Sequence, residues 1–188
     1  DMFCGKENGQ WRSFSTAEVK QTIDKLSAGL IRLGVSGNDM RIENQDKIAL
    51  ISKNRPEWLM LDMACQQIGV AICPIYPTTN VKELEFIFND ASVKHVFVSG
   101  QEILDKVLAV RNNVPTLQNI YSFDELPDSI NWKILLENIS ADDQAGMEKV
   151  KATIKAEHCA TIIYTSGTTG TPKGVMLSHR NIVTNVIN

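Results

Sequence analysis

Short apolar runs of strand length alternate with amphipathic stretches of helical spacing along most of this 188-residue chain, and that alternation restricts it to few folds. Ser15-Thr-Ala-Glu18 has the form of a capping box, with a side-chain oxygen at the N-cap and a carboxylate three residues on. Val19, Ile23, Leu26, Leu30 and Leu33 follow at helical spacing, and Gly34 is placed to end the helix. After an irregular polar stretch over 35–46, Lys47 to Ser52 reads as a buried strand. Pro56 fits the first turn of a helix carrying Trp58, Leu61 and Ile68, which Gly69 closes. Strand character returns over Val70 to Tyr76, where Pro74 suits an edge, an end or a bulge better than a central position.

The alternation continues with a helix over Val81 to Asp90, a strand over His95 to Ser99, a helix over Glu102 to Arg111 and a weak strand over Asn119 to Ser122. Residues 123–158 offer helical patches and charge without a clean strand, and Thr161 to Tyr164 is a strand again. The predicted fold is α/β, a largely parallel sheet reached by right-handed crossovers with helices on both faces. The last segment, Asn181 to Asn188, starts a helical pattern and stops without a cap, so the chain is expected to be a fragment.

Composition excludes more than it assigns. A net charge of −3 without a basic stripe, and the dispersed Trp11, Trp58 and Trp132, argue against nucleic acid as a partner. No apolar run approaches a transmembrane span, and the opening residues lack a signal-peptide layout. Cys4, Cys65, Cys73 and Cys159 form no Cys-x-x-Cys pair, and His95, His158 and His179 have no metal-ligand spacing. Cys65 and Cys73 lie among apolar residues and are expected to be buried, with a reducing cytoplasm the simplest setting. Asn138-Ile-Ser140 is a formal glycosylation sequon, read here as chance.

Chemistry concentrates in Tyr164-Thr-Ser-Gly-Thr-Thr-Gly-Thr-Pro-Lys173-Gly-Val-Met-Leu-Ser-His179-Arg-Asn181, which follows a short apolar strand. Gly167, Gly170 and Gly174 let main-chain N–H groups approach an anion closely. Thr165, Ser166, Thr168, Thr169 and Thr171 add hydroxyls that can donate to phosphate oxygens or bind Mg²⁺, and Lys173 adds a cation. The needs of a triphosphate or pyrophosphate are met. Thr171 and Pro172 separate Gly170 from Lys173, so the stretch is not a Walker loop, and Gly-x-Gly-x-x-Gly is absent.

This stretch resembles the signature of the adenylate-forming (AMP-binding) superfamily, Tyr-Thr-Ser-Gly-Thr-Thr-Gly-x-Pro-Lys-Gly-Val followed by Ser-His-x-Asn. Upstream, Trp11-Arg-Ser-Phe-Ser15 resembles the family's early segment, and Ser52-Lys-Asn-Arg-Pro-Glu-Trp58 and Pro74-Ile-Tyr-Pro-Thr78 look like long-chain fatty-acid CoA ligases. The resemblance implies that residues 1–188 are a partial N-terminal AMP-binding domain, the first part of the family's large domain. It implies attack of a carboxylate on the α-phosphate of ATP, giving an acyl-adenylate, and then transfer of the acyl group to coenzyme A. By the same analogy Thr165 helps bind Mg²⁺, while Ser166, Gly167, Thr168, Thr169, Gly170 and Lys173 hold the β- and γ-phosphates. Lys173 is expected as a phosphate clamp rather than a base. The family's later Mg²⁺-binding glutamate, ribose-binding aspartate and catalytic lysine cannot be located here, so the chain alone is expected not to complete the reaction.

Adenylation of an amino or aryl acid, and a nucleotide-binding module without catalysis, are the alternatives. A fatty-acid enzyme is also compatible with peripheral attachment at the inner membrane face. Ser178-His179 does not read as a nucleophile–base pair, because adjacent side chains seldom meet productively; capping or packing behind the loop is expected of His179. Tyr76 and Thr78 read as packing at a strand end rather than lining an acyl tunnel, and the charges of 142–157 as a solvated helix face.

Overall fold

A computed structural model describes residues 2–7, 9–165 and 171–187. A short antiparallel hairpin of β1 (Phe3–Glu7) and β2 (Gln10–Phe14) precedes the helix α1 (Thr16–Arg32). Then come β3 (Lys47–Ile51), α2 (Pro56–Gln67), β4 (Ala71–Pro74), α3 (Val81–Asp90), β5 (His95–Val98), α4 (Gln101–Val110) and β6 (Asn119–Ser122). A two-residue strand β7 (Ile130–Asn131) leads through a 3₁₀ turn at Trp132–Leu136 to α5 (Ala141–Lys151). The described chain closes with β8 (Cys159–Thr165), β9 (Lys173–Ser178) and α6 (His179–Ile187).

Seven strands form one sheet in the order β7-β6-β5-β3-β4-β8-β9, parallel except where β9 runs antiparallel to β8. The period-2 alternation of strands divides the core. On β3, Ile48 and Leu50 face a cluster with α1, α2 and Met147 of α5, while Ala49 and Ile51 face α3 and α4. Both faces are therefore covered, and β3, β4 and β5 carry almost unbroken apolar side chains as doubly covered parallel strands should. Packing is close behind the sheet. A Cβ on Gly29 of α1 would lie 2.0 Å from the Leu135 carbonyl oxygen, so only glycine lets the 3₁₀ turn approach this far.

Helix starts follow local chemistry. Ser15 Oγ accepts from Glu18 N at 3.2 Å, Asn80 Oδ1 accepts from Glu83 N at 3.0 Å, and Ser140 with Asp143 forms a reciprocal capping box on α5. Pro74 ends β4, an interior strand, and so takes the end position open to it. Among the described residues β8 pairs with β4 at one position, Ile72 opposite Thr161, where the Thr161 hydroxyl also donates to the Ile72 carbonyl at 3.0 Å. Beyond Thr161, β8 runs four more residues paired to β9 alone.

Three expectations need correction. The β1–β2 hairpin was not anticipated, and its burial explains why: β2 is exposed except at Phe14, so no apolar alternation marks it. Residues 123–158 do contain a strand, β7, too short to have a period. Lys173 to Ser178, which begins inside the predicted loop and otherwise carries no predicted element, forms β9, and α6 accordingly begins at His179 rather than Asn181.

Candidate functional site

The sheet presents its chemistry at one edge, beyond the carboxyl ends of the parallel strands. The connection after β3 runs to α2 on one face, whereas those after β4 and β5 run to α3 and α4 on the other. Between β3 and β5 the chain thus leaves neighbouring strands in opposite directions, and such a switch point opens a crevice. One of about 640 Å³ lies there, lined among others by Lys53, Arg55, Thr78, Ser99, Gly100 and Asp124.

Arg55 organises this crevice. Its Nε and Nη2 meet both carboxylate oxygens of Glu57 at 3.0 Å each, and its Nη1 donates to Asp124 Oδ1 at 2.9 Å. The guanidinium lies 5.2 Å from the centre of the Phe123 ring. Burial works against the charge, yet hydrogen bonds to Glu57 and Asp124 outweigh it and push the arginine pKa up. The other oxygen of Asp124 accepts from Gly100 N at 2.8 Å, at the start of α4, where Gly100 has a φ of 76°. One carboxylate therefore joins the loops after β3, β5 and β6.

The predicted phosphate loop leaves the same edge from β8, with β4 between β8 and the strand β3 that borders the crevice. Ser166, Gly167, Thr168, Thr169 and Gly170 lie outside the described residues. The arms on either side are described. Thr165 ends β8 and Lys173 begins β9, and the two are opposite partners in the antiparallel ladder, both exposed. Opposite partners project to the same face, so a hydroxyl and an ammonium stand side by side at the mouth of the hairpin. One rung back, Tyr164 is opposite Gly174, and the Tyr164 hydroxyl donates to Asp90 Oδ2 at 2.5 Å. Burial, then the hydrogen bond and charge of Asp90, push the Tyr164 pKa far above the usual phenol value.

The end of the signature is a helix start. Ser178 N donates to Asn181 Oδ1 at 2.9 Å and Asn181 N donates to Ser178 Oγ at 3.3 Å, the reciprocal pattern that caps α6. Capping thus belongs to Ser178 and Asn181, while His179 N bonds the His158 carbonyl at 3.2 Å. Tyr76 corrects the sequence reading, being 77% exposed rather than packed, and Thr78 lines the crevice. Sequence reasoning missed Asp90, Arg55 and Asp124 as parts of this edge; Asp90 and Asp124 sit far from their partners in the chain, with no local pattern to flag them. Cys65 and Cys73 are buried as expected. Among the described residues, no group of three or more His, Cys, Asp or Glu could hold a metal, and no helix is long and apolar enough to cross a membrane.

Comparison with known proteins adds to this geometry. A family model described as AMP-binding enzyme matches residues 2–188. The long-chain-fatty-acid–CoA ligase ACSBG2 of Xenopus laevis is 29% identical over 184 residues, 95% of this chain and 24% of that protein. The peroxisomal long chain acyl-CoA synthetase 6 of Arabidopsis thaliana is 30% identical, over 94% of this chain and 25% of its own length. Among solved structures, the red-emitting luciferase of Phrixothrix hirtus superposes with a TM-score of 0.75 at 20% identity, covering 94% of this chain and 33% of its own. The anthranilate CoA ligase AuaEII gives 0.72 at 20% identity, covering 90% of this chain and 30% of its own. At such identity these two bear on the fold alone. The chain spans about a quarter of the length of the two ligase relatives.

Proposed function

The chain belongs to the AMP-binding enzyme family, and from that premise we propose that the protein carrying it activates a carboxylic acid with ATP and passes the acyl group to coenzyme A. One observation carries the reading. Thr165 and Lys173 stand opposite each other at the mouth of a hairpin on the carboxyl edge of the sheet, where the glycine-rich signature joins them. In this reading the hydroxyl and the ammonium grip the β- and γ-phosphates together with Ser166–Gly170. Attack on the α-phosphorus piles negative charge on phosphate oxygens, and preset donors and a cation favour that charge over the ground state.

Magnesium fits the residues present. Thr165 offers a hard oxygen donor, and a cation held by one protein oxygen and the phosphates themselves is the usual arrangement for Mg²⁺. When bound, the ion would neutralise phosphate charge; Lys173 would orient the leaving pyrophosphate from the opposite arm.

A long-chain fatty acid is the proposed substrate. It rests on the resemblance of Ser52–Trp58 and Pro74–Thr78 to ligases of that class and on the names of the relatives. The test is a panel of fatty, aryl and amino acids on the full-length protein, following acid-dependent ATP–pyrophosphate exchange and CoA-dependent AMP release. Preference for long-chain fatty acids is expected, with Lys173→Ala lowering kcat/KM for ATP by roughly 10²-fold. An aryl or amino acid as the best substrate would move the enzyme to another branch. Absence of turnover with any acid, alongside ATP binding, would make it a nucleotide-binding module. The 188 residues alone are proposed not to support pyrophosphate exchange.

A further inference from the structure

Asp90 has no place in the glycine-rich signature, yet it holds the first residue of that signature. It is the last residue of α3, where a carboxylate faces the negative end of the helix dipole and is disfavoured unless a donor meets it. The donor is the Tyr164 hydroxyl, at 2.5 Å, the short range of O–H bonds to an ionised carboxylate. From there the ring reaches back over the returning strand. A Cβ on Gly174 would lie 3.1 Å from Tyr164 Cζ, 3.3 Å from its Oη and 3.0 Å from Ile162 Cγ2, so the ring covers Gly174 closely. The next rung outward is the pair Thr165 and Lys173. Beyond Thr161 the hairpin is paired to no other described strand, and the Asp90 bond, beside the packing of the Tyr164 ring on the α3–α4 cluster, ties its outer half to the helical layer.

We propose that Asp90 is a positioning residue, acting through Tyr164 and the glycine beneath it to hold the two phosphate-gripping arms in register. The inference rests on the functional reading given above. The link is serial: the carboxylate fixes the phenol, the ring fixes the rung, and the rung presents Thr165 beside Lys173. Breaking either end of a serial link has the same effect, and breaking both adds nothing. A side chain that only adds surface stability would instead lower the melting temperature and leave substrate binding unchanged.

Steady-state kinetics on the full-length protein, with hydrogen exchange at the amides of residues 165 and 173–175, test this. Asp90→Ala and Tyr164→Phe are each expected to raise KM for ATP about tenfold while KM for the acid stays within about twofold. The double variant should be no worse than either single, and Asp90→Asn, which keeps an acceptor, should recover most of the loss. Exchange at the named amides should quicken about tenfold in Asp90→Ala and stay near wild type in Asp90→Asn. Unchanged exchange in Asp90→Ala, or single-variant effects that multiply in the double, would overturn the proposal. If the wild-type protein activates no acid, the functional reading fails, and the exchange measurement still decides whether Asp90 holds the arms.

Discussion

On β5, the His95 ring is 1% exposed, with its Nδ1 3.4 Å from Asn119 Nδ2 and its Nε2 without a partner among the described residues. Burial, assisted by Lys94 and opposed by Asp46, lowers its pKa from 6.5 to about 4. The unfolded chain therefore takes up a proton at higher pH than the folded one does. His95 costs nothing above about pH 6.5; stability falls as pH drops from there towards 4, by about 3 kcal/mol at most. Carboxylates titrate in the lower part of the same window, so the comparison needs a non-titrating variant. Urea unfolding midpoints at pH 7 and pH 4.5 should separate by less in His95→Gln than in wild type. Equal separations would mean that His95 is protonated in the fold.

Among the elements, α3 links the core to the candidate site, since its buried Leu84, Ile87 and Phe88 pack under the sheet while Asp90 meets Tyr164. Its first turn depends on Asn80. Replacing Asn80 by Ala should destabilise the protein by about 1 kcal/mol, read as a shift of the denaturant midpoint with the slope unchanged. Elements of this kind were legible because burial on one face imposes a period: α1, α3 and α4 and the doubly buried β3 and β5 all lie within a residue or two of their expected bounds. β1, β2 and β9 were not, since pairing rather than burial makes them strands and pairing leaves no local period. Val175-Met-Leu177 did offer an apolar run that could have marked β9. The site divides in the same way. The signature is contiguous and could be read directly, whereas the bond from Asp90 to Tyr164 joins residues 74 apart and needs the fold to be seen.

At the scale of the molecule the two ends of the sheet differ. β7 is two residues long and offers little to an approaching strand, a common way of blunting an edge. β9 is six residues long, with Val175 and Met176 exposed, and α6 beside it buries no residue while exposing Val183, Val186 and Ile187. Surfaces of this sort associate. The 188-residue chain on its own should sediment as oligomers at tens of micromolar, and a Met176→Lys, Val186→Lys double variant should shift it towards monomer. A wild-type chain that stays monomeric over that range would show the edge to be harmless.

The single rung joining β4 to β8 has a mechanical consequence. From Thr161 to Thr165 the strand reaches about 13 Å at the usual rise per residue. Over that reach β8 is held on its β4 side by side-chain packing and by the Tyr164–Asp90 bond rather than by further rungs, and a tilt of about 10° would carry its tip about 2 Å, enough to make or lose a hydrogen bond. The angle of the hairpin is then what presents Thr165 beside Lys173, and the phenol at Tyr164 is the brace proposed to set it.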